Sequence, residues 1–170
     1  VAVFQGRSES GRRALGNRSI LASPISDGMK DLINEKVKHR QSFRPFAPSI
    51  LEEHASDWFD NCFPSPYMSF VFDFKKDKLG LAPAVEHVNK TARVQTVNAD
   101  QNKNYYDMIS KFYAKTGVPI LLNTSFNDRE PICETPRHSI DCFLRTNIDY
   151  LYFPEYGLLL KKNESPNRNR

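Results

Sequence analysis

The segment from Gly117 to Pro131, GVPILLNTSFNDREP, constrains this chain more than any other. Val118 to Leu122 is an unbroken apolar run, with Gly117 before it and polar residues after it. A short apolar run bounded in this way reads as a buried strand. The strand then breaks into Asn123, Thr124, Ser125 and Asn127, all short hydrogen-bonding side chains. Either these residues make Asx and Ser turns, or they hold something at the strand end. Ser125 and Asn127 flank Phe126, so an extended backbone would place both polar groups on one side. In α/β sheets, ligands bind at the carboxyl ends of strands. Neutral donors and acceptors of this kind suit phosphate oxygens or the edge of a neutral group.

The surrounding pattern supplies a sheet for that strand. Residues 1–5 read as a strand and residues 6–25, GRSESGRRALGNRSILASPI, as a structured loop. Ser26 is placed to cap a helix whose apolar face is Met29, Leu32, Ile33 and Val37. Residues 43–51, FRPFAPSIL, are Pro-broken and extended. Residues 67–74 are β-rich, and residues 91–97 alternate like a half-buried strand. The helical pattern at 103–115 carries Tyr105, Ile109, Phe112 and Tyr113 on one face and stops at Gly117. Thr135-Pro136 is a cap followed by Pro at the first helical position, with Ile140, Phe143 and Leu144 as the buried side. Strands at 148–153 and 157–161 follow. This order argues for an α/β fold, a sheet with helices packed on it, over residues 1–162. The tail 163–170 is expected to be frayed.

Bulk properties exclude some functions. A chain of 170 residues is long enough for one domain with a real core. It has no apolar run long enough for a membrane span and no secretory pattern at its start. Cys62, Cys133 and Cys142 have no CxxC spacing and make an odd count, which points to reduced, buried thiols in a cytoplasmic protein. His39, His54, His87 and His138 are scattered, so no metal site is expected. Lys161, Lys162, Arg168 and Arg170 face one acid, Glu164, and this tail carries +3 of the formal +4. The basic pI is therefore weak support for a nucleic-acid surface, and no nucleic-acid partner is expected. The chain opens with VAVF, inside a strand, and is expected to be a piece of something longer.

The candidate chemistry lies in the cations. Arg7, Arg12, Arg13 and Arg18 crowd a loop that also holds Gly6, Gly11 and Gly16. Glycine lets a backbone approach an anion, and Arg offers a planar fork for phosphate or carboxylate. A solvated basic loop would have the same composition. Lys38 and Arg40 follow a helix end, where the helix dipole alone explains cations. Arg44 stands between Phe43 and Phe46 in a segment expected to be packed, and Arg93 stands within a strand; a cation in either setting asks for a partner. There is no nucleophile with its base, no GxGxxG and no GxxxxGK[ST]. Any catalysis here would rest on electrostatic stabilisation of phosphates.

Four strings in order, GRSESGRRALGNRSILASP, FRPFAPSIL, HVNKTARVQTV and GVPILLNTSFNDREPI, resemble the C-terminal domain of the O-carbamoyltransferases of the NodU, CmcH and TobZ group. The resemblance runs from about residue 4 to residue 160 and implies a YrdC-like α/β fold with a twisted mixed sheet. It implies that Lys38-His39-Arg40 and Ser125-Phe126-Asn127 are the paired motifs that hold nucleotide and phosphate. It also implies that Arg13, Lys38, Arg44 and Arg93 surround carbamoyl phosphate. Arg7, Arg40, Asn123, Thr124, Ser125, Asn127 and Arg129 would bind substrate or nucleotide. In such proteins carbamoyl phosphate is cleaved, and the carbamate attacks the α-phosphate of ATP. Carbamoyl-adenylate forms and pyrophosphate leaves, with Mg²⁺ carried on the ATP. A separate N-terminal ASKHA-type domain, absent from this chain, then moves the carbamoyl group to a hydroxyl of a small-molecule acceptor. Two positions depart from the family pattern: Arg12 stands where the family has Pro, and NDREP lacks a Gly before Glu130-Pro131. The alternatives are a relative that makes threonylcarbamoyl-adenylate for tRNA modification and a non-catalytic nucleotide- or phosphate-binding module.

Overall fold

The structure, a computed structural model, describes residues 1–162; the tail 163–170, expected to be frayed, lies outside the described residues. In chain order the elements are β1 (Ala2–Phe4), β2 (Arg18–Ala22), α1 (Met29–Lys36), β3 (Ala47–Leu51), α2 (Ala55–Trp58), β4 (Val71–Asp73), β5 (Thr91–Arg93), β6 (Gln95–Val97), α3 (Lys103–Thr116), β7 (Ile120–Ser125), α4 (Pro136–Arg145), β8 (Tyr150–Phe153) and β9 (Leu158–Lys161). A seven-stranded sheet runs β6-β3-β7-β2-β1-β8-β9, and β4 and β5 form a separate pair. The sheet is mixed: β3–β6 and β1–β8 are parallel, and the other neighbours are antiparallel. This is the expected α/β class. No helix among the described residues is long and apolar enough to cross a membrane.

The apolar run of β7 explains itself from both faces. Ile120 and Leu122 point into the larger core cluster, with Ile20, Ile50, Cys142 and Phe143. Leu121 points the other way, against Tyr105 and Ile109 of α3. A strand covered on both faces shows continuous hydrophobicity instead of alternation. Helix α3 is capped at one end by Asn102, whose side chain accepts from Tyr105 N, and stops at Gly117, φ +73°. Thr135 caps α4 by accepting from His138 N, with Pro136 at the first position.

Several expectations change. RSILA, placed in the loop 6–25, is β2, a central strand whose Ser19, Ile20 and Leu21 are buried. Its five residues begin two positions after Gly16, too close to a Gly- and Arg-rich stretch for composition to separate them. Ser26 does not cap α1 with its side chain; the N-cap is Gly28, and the Ser26 carbonyl accepts from Met29 N. Leu32, expected on the buried face, is exposed, while Asn34 is fully buried. Ile140 and Leu144 are exposed as well, so α4 packs through Ser139, Cys142 and Phe143. The stretch 67–74 forms strand only at 71–73. Residues 91–97 break at Val94, with β5 pairing β4 and β6 pairing β3. Pro48 is accommodated inside β3 because the β6 ladder begins one residue later, at Ser49.

Candidate functional site

Two antiparallel pairings build the site. Strand β7 runs against β2, with Ser125 opposite Ser19, and against β3, with Asn123 opposite Ala47. The carboxyl end of β7 therefore meets the beginnings of β2 and β3, and the basic loops that precede those strands converge on it. The end of β5 adds Arg93. Together they enclose a cavity of about 110 Å³ lined by Arg12, Arg13, Ala14, Arg40, Pro45, Phe46, Ala47, Met68, Arg93, Asn123, Thr124 and Ser125. The lining holds four guanidinium groups and no carboxylate.

Arg40 is held by neutral groups. Arg40 Nε donates to Asn34 Oδ1 at 2.7 Å, and its guanidinium carbon lies 4.7 Å from the Phe46 ring centroid. Asn34 Nδ2 in turn donates to the carbonyls of Ser42 and Arg44 and so fixes the loop that carries Arg40. Burial, and then the neighbouring charge of Arg44, holds Arg40 below the usual arginine value. Burial, then Arg13 and Arg12, does the same for Arg93, whose Nε is buried without a hydrogen-bond partner. No ion pair within 4.0 Å involves Arg12, Arg13, Arg40 or Arg93 among the described residues. Mutually repelling cations without counter-ions mark a site for an anion. The loop of Arg12 and Arg13 is closed by Glu9, whose Oε1 accepts from Leu15 N and Asn17 N, both at 2.7 Å.

Lys38 is 6% exposed, and its Nζ lies 2.6 Å from Ser125 O, 3.2 Å from Ser125 Oγ, 2.8 Å from Asn127 O and 2.7 Å from Asn127 Oδ1. Burial, and then Arg40, pushes its pKa down to about 8. The Lys-x-Arg and Ser-x-Asn pairs, far apart in sequence, thus form one knot. His39 between Lys38 and Arg40 has φ +45°, a left-handed turn that His adopts more readily than most residues. The backbone at Ser125–Asn127 is not extended, because Asn127 N turns back to Ser125 O at 3.1 Å. The two polar groups still meet, with Ser125 Oγ donating to Asn127 Oδ1 at 2.7 Å.

The expected site residues divide. Arg13, Arg40, Arg93, Asn123, Thr124 and Ser125 line the cavity, joined by Arg12. Lys38 and Asn127 stand behind Ser125. Arg44 was expected in a packed segment, but it is exposed and Phe43 is 74% exposed, because Asn34 grips this loop through its backbone. Arg44 acts on the lining by charge, through Arg40. Arg7 and Arg129 are exposed and outside the lining. Arg18 is buried and spent on structure: its guanidinium donates to the carbonyls of Gln5, Gly6 and Asn17 and lies over the Phe4 ring. Asn34, Glu9 and Gln95 were not singled out from sequence. A polar Asn beside Ile33 on the apolar face of α1 was the available signal for the first.

Behind the Asn127 turn, one ligand-type atom each from Glu130, Cys133 and Cys142 lies within 4.8 Å of the others, a grouping that the sequence spacing did not suggest. Glu130 is already engaged by Arg145 and by the N–H groups of Asp128 and Arg129. All three cysteines are free thiols; Cys133 and Cys142 are buried as expected, while Cys62 is only half-buried.

Comparison with known proteins shows the family. Residues 1–161 match the family described as "Carbamoyltransferase C-terminus". The chain is 49% identical over 170 residues to nodulation protein NolNO of Sinorhizobium fredii, covering 98% of this chain and 25% of that protein. It is 50% identical over 155 residues to nodulation protein NolO of Bradyrhizobium diazoefficiens, covering 89% and 28%. It is 42% identical over 157 residues to uncharacterized protein MJ1058 of Methanocaldococcus jannaschii, covering 92% and 26%. The chain spans about a quarter of the length of these relatives. With the match extending over nearly all of its residues, the chain belongs to the carbamoyltransferase C-terminus family.

Proposed function

We propose that this chain is the carbamoyl-activating part of an O-carbamoyltransferase, and that the arginine-lined cavity binds carbamoyl phosphate. The observation that carries the reading is the set of four arginines around one small cavity, without a carboxylate among its lining residues. At about 110 Å³ the cavity is well below the ~300 Å³ at which pockets for drug-sized ligands begin. It is scaled to a small anion and not to a whole nucleotide. ATP would bring its phosphates to the arginines and extend beyond them. A second cavity of about 300 Å³, lined by Glu9, Tyr67, Asn17, Gln95 and Asn102 among others, offers hydrogen-bonding groups, one carboxylate among them, and Gln95 links it to Asn123 of the first cavity.

In this reading water cleaves carbamoyl phosphate to carbamate and phosphate, and a carbamate oxygen attacks the α-phosphorus of ATP. The bond to the bridging oxygen breaks, pyrophosphate leaves with that electron pair, and carbamoyl-adenylate remains. Both steps gather phosphate charge, which fixed guanidinium groups stabilise without reorganising. Lys38 holds the Ser125–Asn127 turn in place. The lining offers a cation no carboxylate, so Mg²⁺ would enter held by nucleotide phosphates and water. Transfer to a hydroxyl of a small acceptor falls to other parts of the longer protein.

Calorimetric titration with carbamoyl phosphate, then with ATP and Mg²⁺, tests this. Binding of both, weakening as salt is raised, is expected. No binding of carbamoyl phosphate by the folded chain refutes it. Binding of ATP alone would return attention to threonine with bicarbonate as substrates, or to a non-catalytic nucleotide module.

A further inference from the structure

Asn123 is the lining residue with a buried acceptor left unmatched among the described residues. Its Nδ2 donates to Ala14 O at 3.1 Å, Ser49 Oγ at 3.1 Å and Gln95 Oε1 at 2.9 Å. The orientation of the amide follows from two backbone carbonyls. Ala14 O only accepts, so the nitrogen of Asn123 must face it. Gln95 Nε2 donates to Leu15 O at 2.9 Å, which turns Gln95 Oε1 toward Asn123. Flipping Asn123 would set oxygen against oxygen at both contacts. Its Oδ1 is thereby committed to another direction, where it is buried without a hydrogen-bond partner, in a residue only 2% exposed. Buried acceptors are rarely left unmatched unless the group has another use.

The rest of the lining is of opposite character. The guanidinium groups of Arg12, Arg13, Arg40 and Arg93 are donors only, and the hydroxyl of Thr124 can donate. The dianion of a simple acyl phosphate brings only acceptors, whereas inorganic phosphate in its dianionic form keeps one P–OH donor on the phosphate itself. A simple acyl phosphate would satisfy the arginines and leave the Asn123 oxygen unmatched. A ligand that answers both must carry a donor a few bonds from its phosphate, and in carbamoyl phosphate that donor is the N–H of the carbamoyl group.

We propose that Asn123 Oδ1 accepts a hydrogen bond from the amide nitrogen of the carbamoyl group, and that this contact selects carbamoyl phosphate over acyl phosphates that lack an N–H. The proposal rests on the carbamoyl phosphate reading of the cavity and names the residue that reads the carbamoyl end. The carbamoyl nitrogen suits the role, because its lone pair is delocalised into the carbonyl and it donates without accepting. Reaching the oxygen requires the lining to shift, and the long side chains of that lining are its arginines. Because the acceptor is shielded from water, a ligand without an N–H gains no substitute bond there.

Acetyl phosphate is the natural control, with a methyl group in place of the amide nitrogen and the same phosphate. The experiment titrates the chain with freshly dissolved carbamoyl phosphate, acetyl phosphate and inorganic phosphate. In parallel, the assigned side-chain amide signals of Asn123 are followed in ¹⁵N-labelled protein. Carbamoyl phosphate is expected to bind at least about tenfold more tightly than acetyl phosphate, the equivalent of one such hydrogen bond. The Asn123 signals should shift with carbamoyl phosphate and stay in place with acetyl phosphate. In Asn123→Ala, if it folds, the two affinities should converge while phosphate still binds. The wild-type spectra decide the matter if that variant does not fold. Equal affinity for the two acyl phosphates, or an Asn123 amide indifferent to carbamoyl phosphate, overturns the proposal while leaving the cavity reading intact. Failure of all three ligands to bind overturns both.

Discussion

Replacing Lys38 with methionine should separate stability from binding. The substitution removes the ammonium and keeps a flexible, unbranched stem. Among the four oxygens near Nζ, Ser125 O keeps the Asn127 N–H at 3.1 Å, and Ser125 Oγ keeps Asn127 Oδ1 at 2.7 Å. Only the Asn127 carbonyl, 2.8 Å from Nζ, loses its donor outright. An unmatched buried acceptor costs about 1–3 kcal/mol. Against this stands the burial of the charge. Lowering the lysine from 10.5 to about 8 corresponds to a penalty of about 3 kcal/mol on the charged form at neutral pH. Methionine has no charge to desolvate, so the two effects nearly cancel, and the unfolding free energy should change by less than about 2 kcal/mol. Binding is not spared, because the Ser125–Asn127 turn loses its clamp and the site loses a positive charge. Affinity for carbamoyl phosphate should fall by about tenfold or more. Urea unfolding, with an unchanged slope, reports the first quantity and calorimetry the second. Destabilisation beyond about 4 kcal/mol would make Lys38 a structural strut and refute the cancellation. Unchanged binding would remove Lys38 from the site altogether.

The same residue predicts a pH dependence. Its folded pKa lies below the unfolded one, so between pH about 8 and 10.5 the unfolded chain binds more protons there, and the Lys38 contribution to stability rises with pH across that window. Carbamoyl phosphate binding should fall over the same window as the ammonium is lost; a wild-type minus Lys38→Met difference that stays flat would contradict this. Gly16→Ala should destabilise by about 3 kcal/mol, from overpacking combined with a left-handed backbone. A Cβ there would lie 2.3 Å from the Tyr105 ring, at φ +118°, and an unmoved denaturation midpoint would show that the ring can yield. Arg93→Ala should weaken carbamoyl phosphate binding far more than Arg44→Ala, since Arg93 lines the cavity and Arg44 acts from outside it; equal losses by calorimetry would argue for charge alone. A thiol reagent should label Cys62 in the native chain, and Cys133 and Cys142 only on unfolding, as mass spectrometry of the labelled peptides would reveal.

The sheet was legible where one residue type had one explanation. The apolar run of β7, the Gly117 stop and the Thr135-Pro136 start all followed from local chemistry. Strand β2 was hidden because its first residue is an arginine, and Arg18 is tolerated in a core only through three carbonyl acceptors that come from elsewhere in the fold. The site was half legible. Composition pointed to Arg13 and Arg93, and motif order placed them together. The roles of Asn34, Glu9 and Gln95 depend on contacts between segments distant in sequence, and no local pattern announces those. Arg44 misled for a related reason. Its neighbours Phe43 and Pro45 suggested packing, but the loop is fixed through the Arg44 carbonyl, which leaves the side chains outside.

Arg18 and Arg93 together define what the fold does with positive charge. Arg18 turns both terminal nitrogens onto carbonyl oxygens and is finished as a structural element, although its Nε has no hydrogen-bond partner. Arg93 is half-buried, faces the charges of Arg12 and Arg13, and makes no ion pair within 4.0 Å among the described residues. A carboxylate in that position would stabilise the empty chain and would also compete with every anionic ligand. Holding Arg40 with Asn34 and Phe46 instead keeps its charge available, and the repulsion among the lining arginines is relieved when an anion enters. The stability withheld from the empty state should therefore return on ligation. At a ligand concentration a hundred times the dissociation constant, the gain is about 2.7 kcal/mol. A matching rise in the thermal midpoint with carbamoyl phosphate, lost in Arg93→Ala, is the consequence of building an anion site from cations without counter-ions.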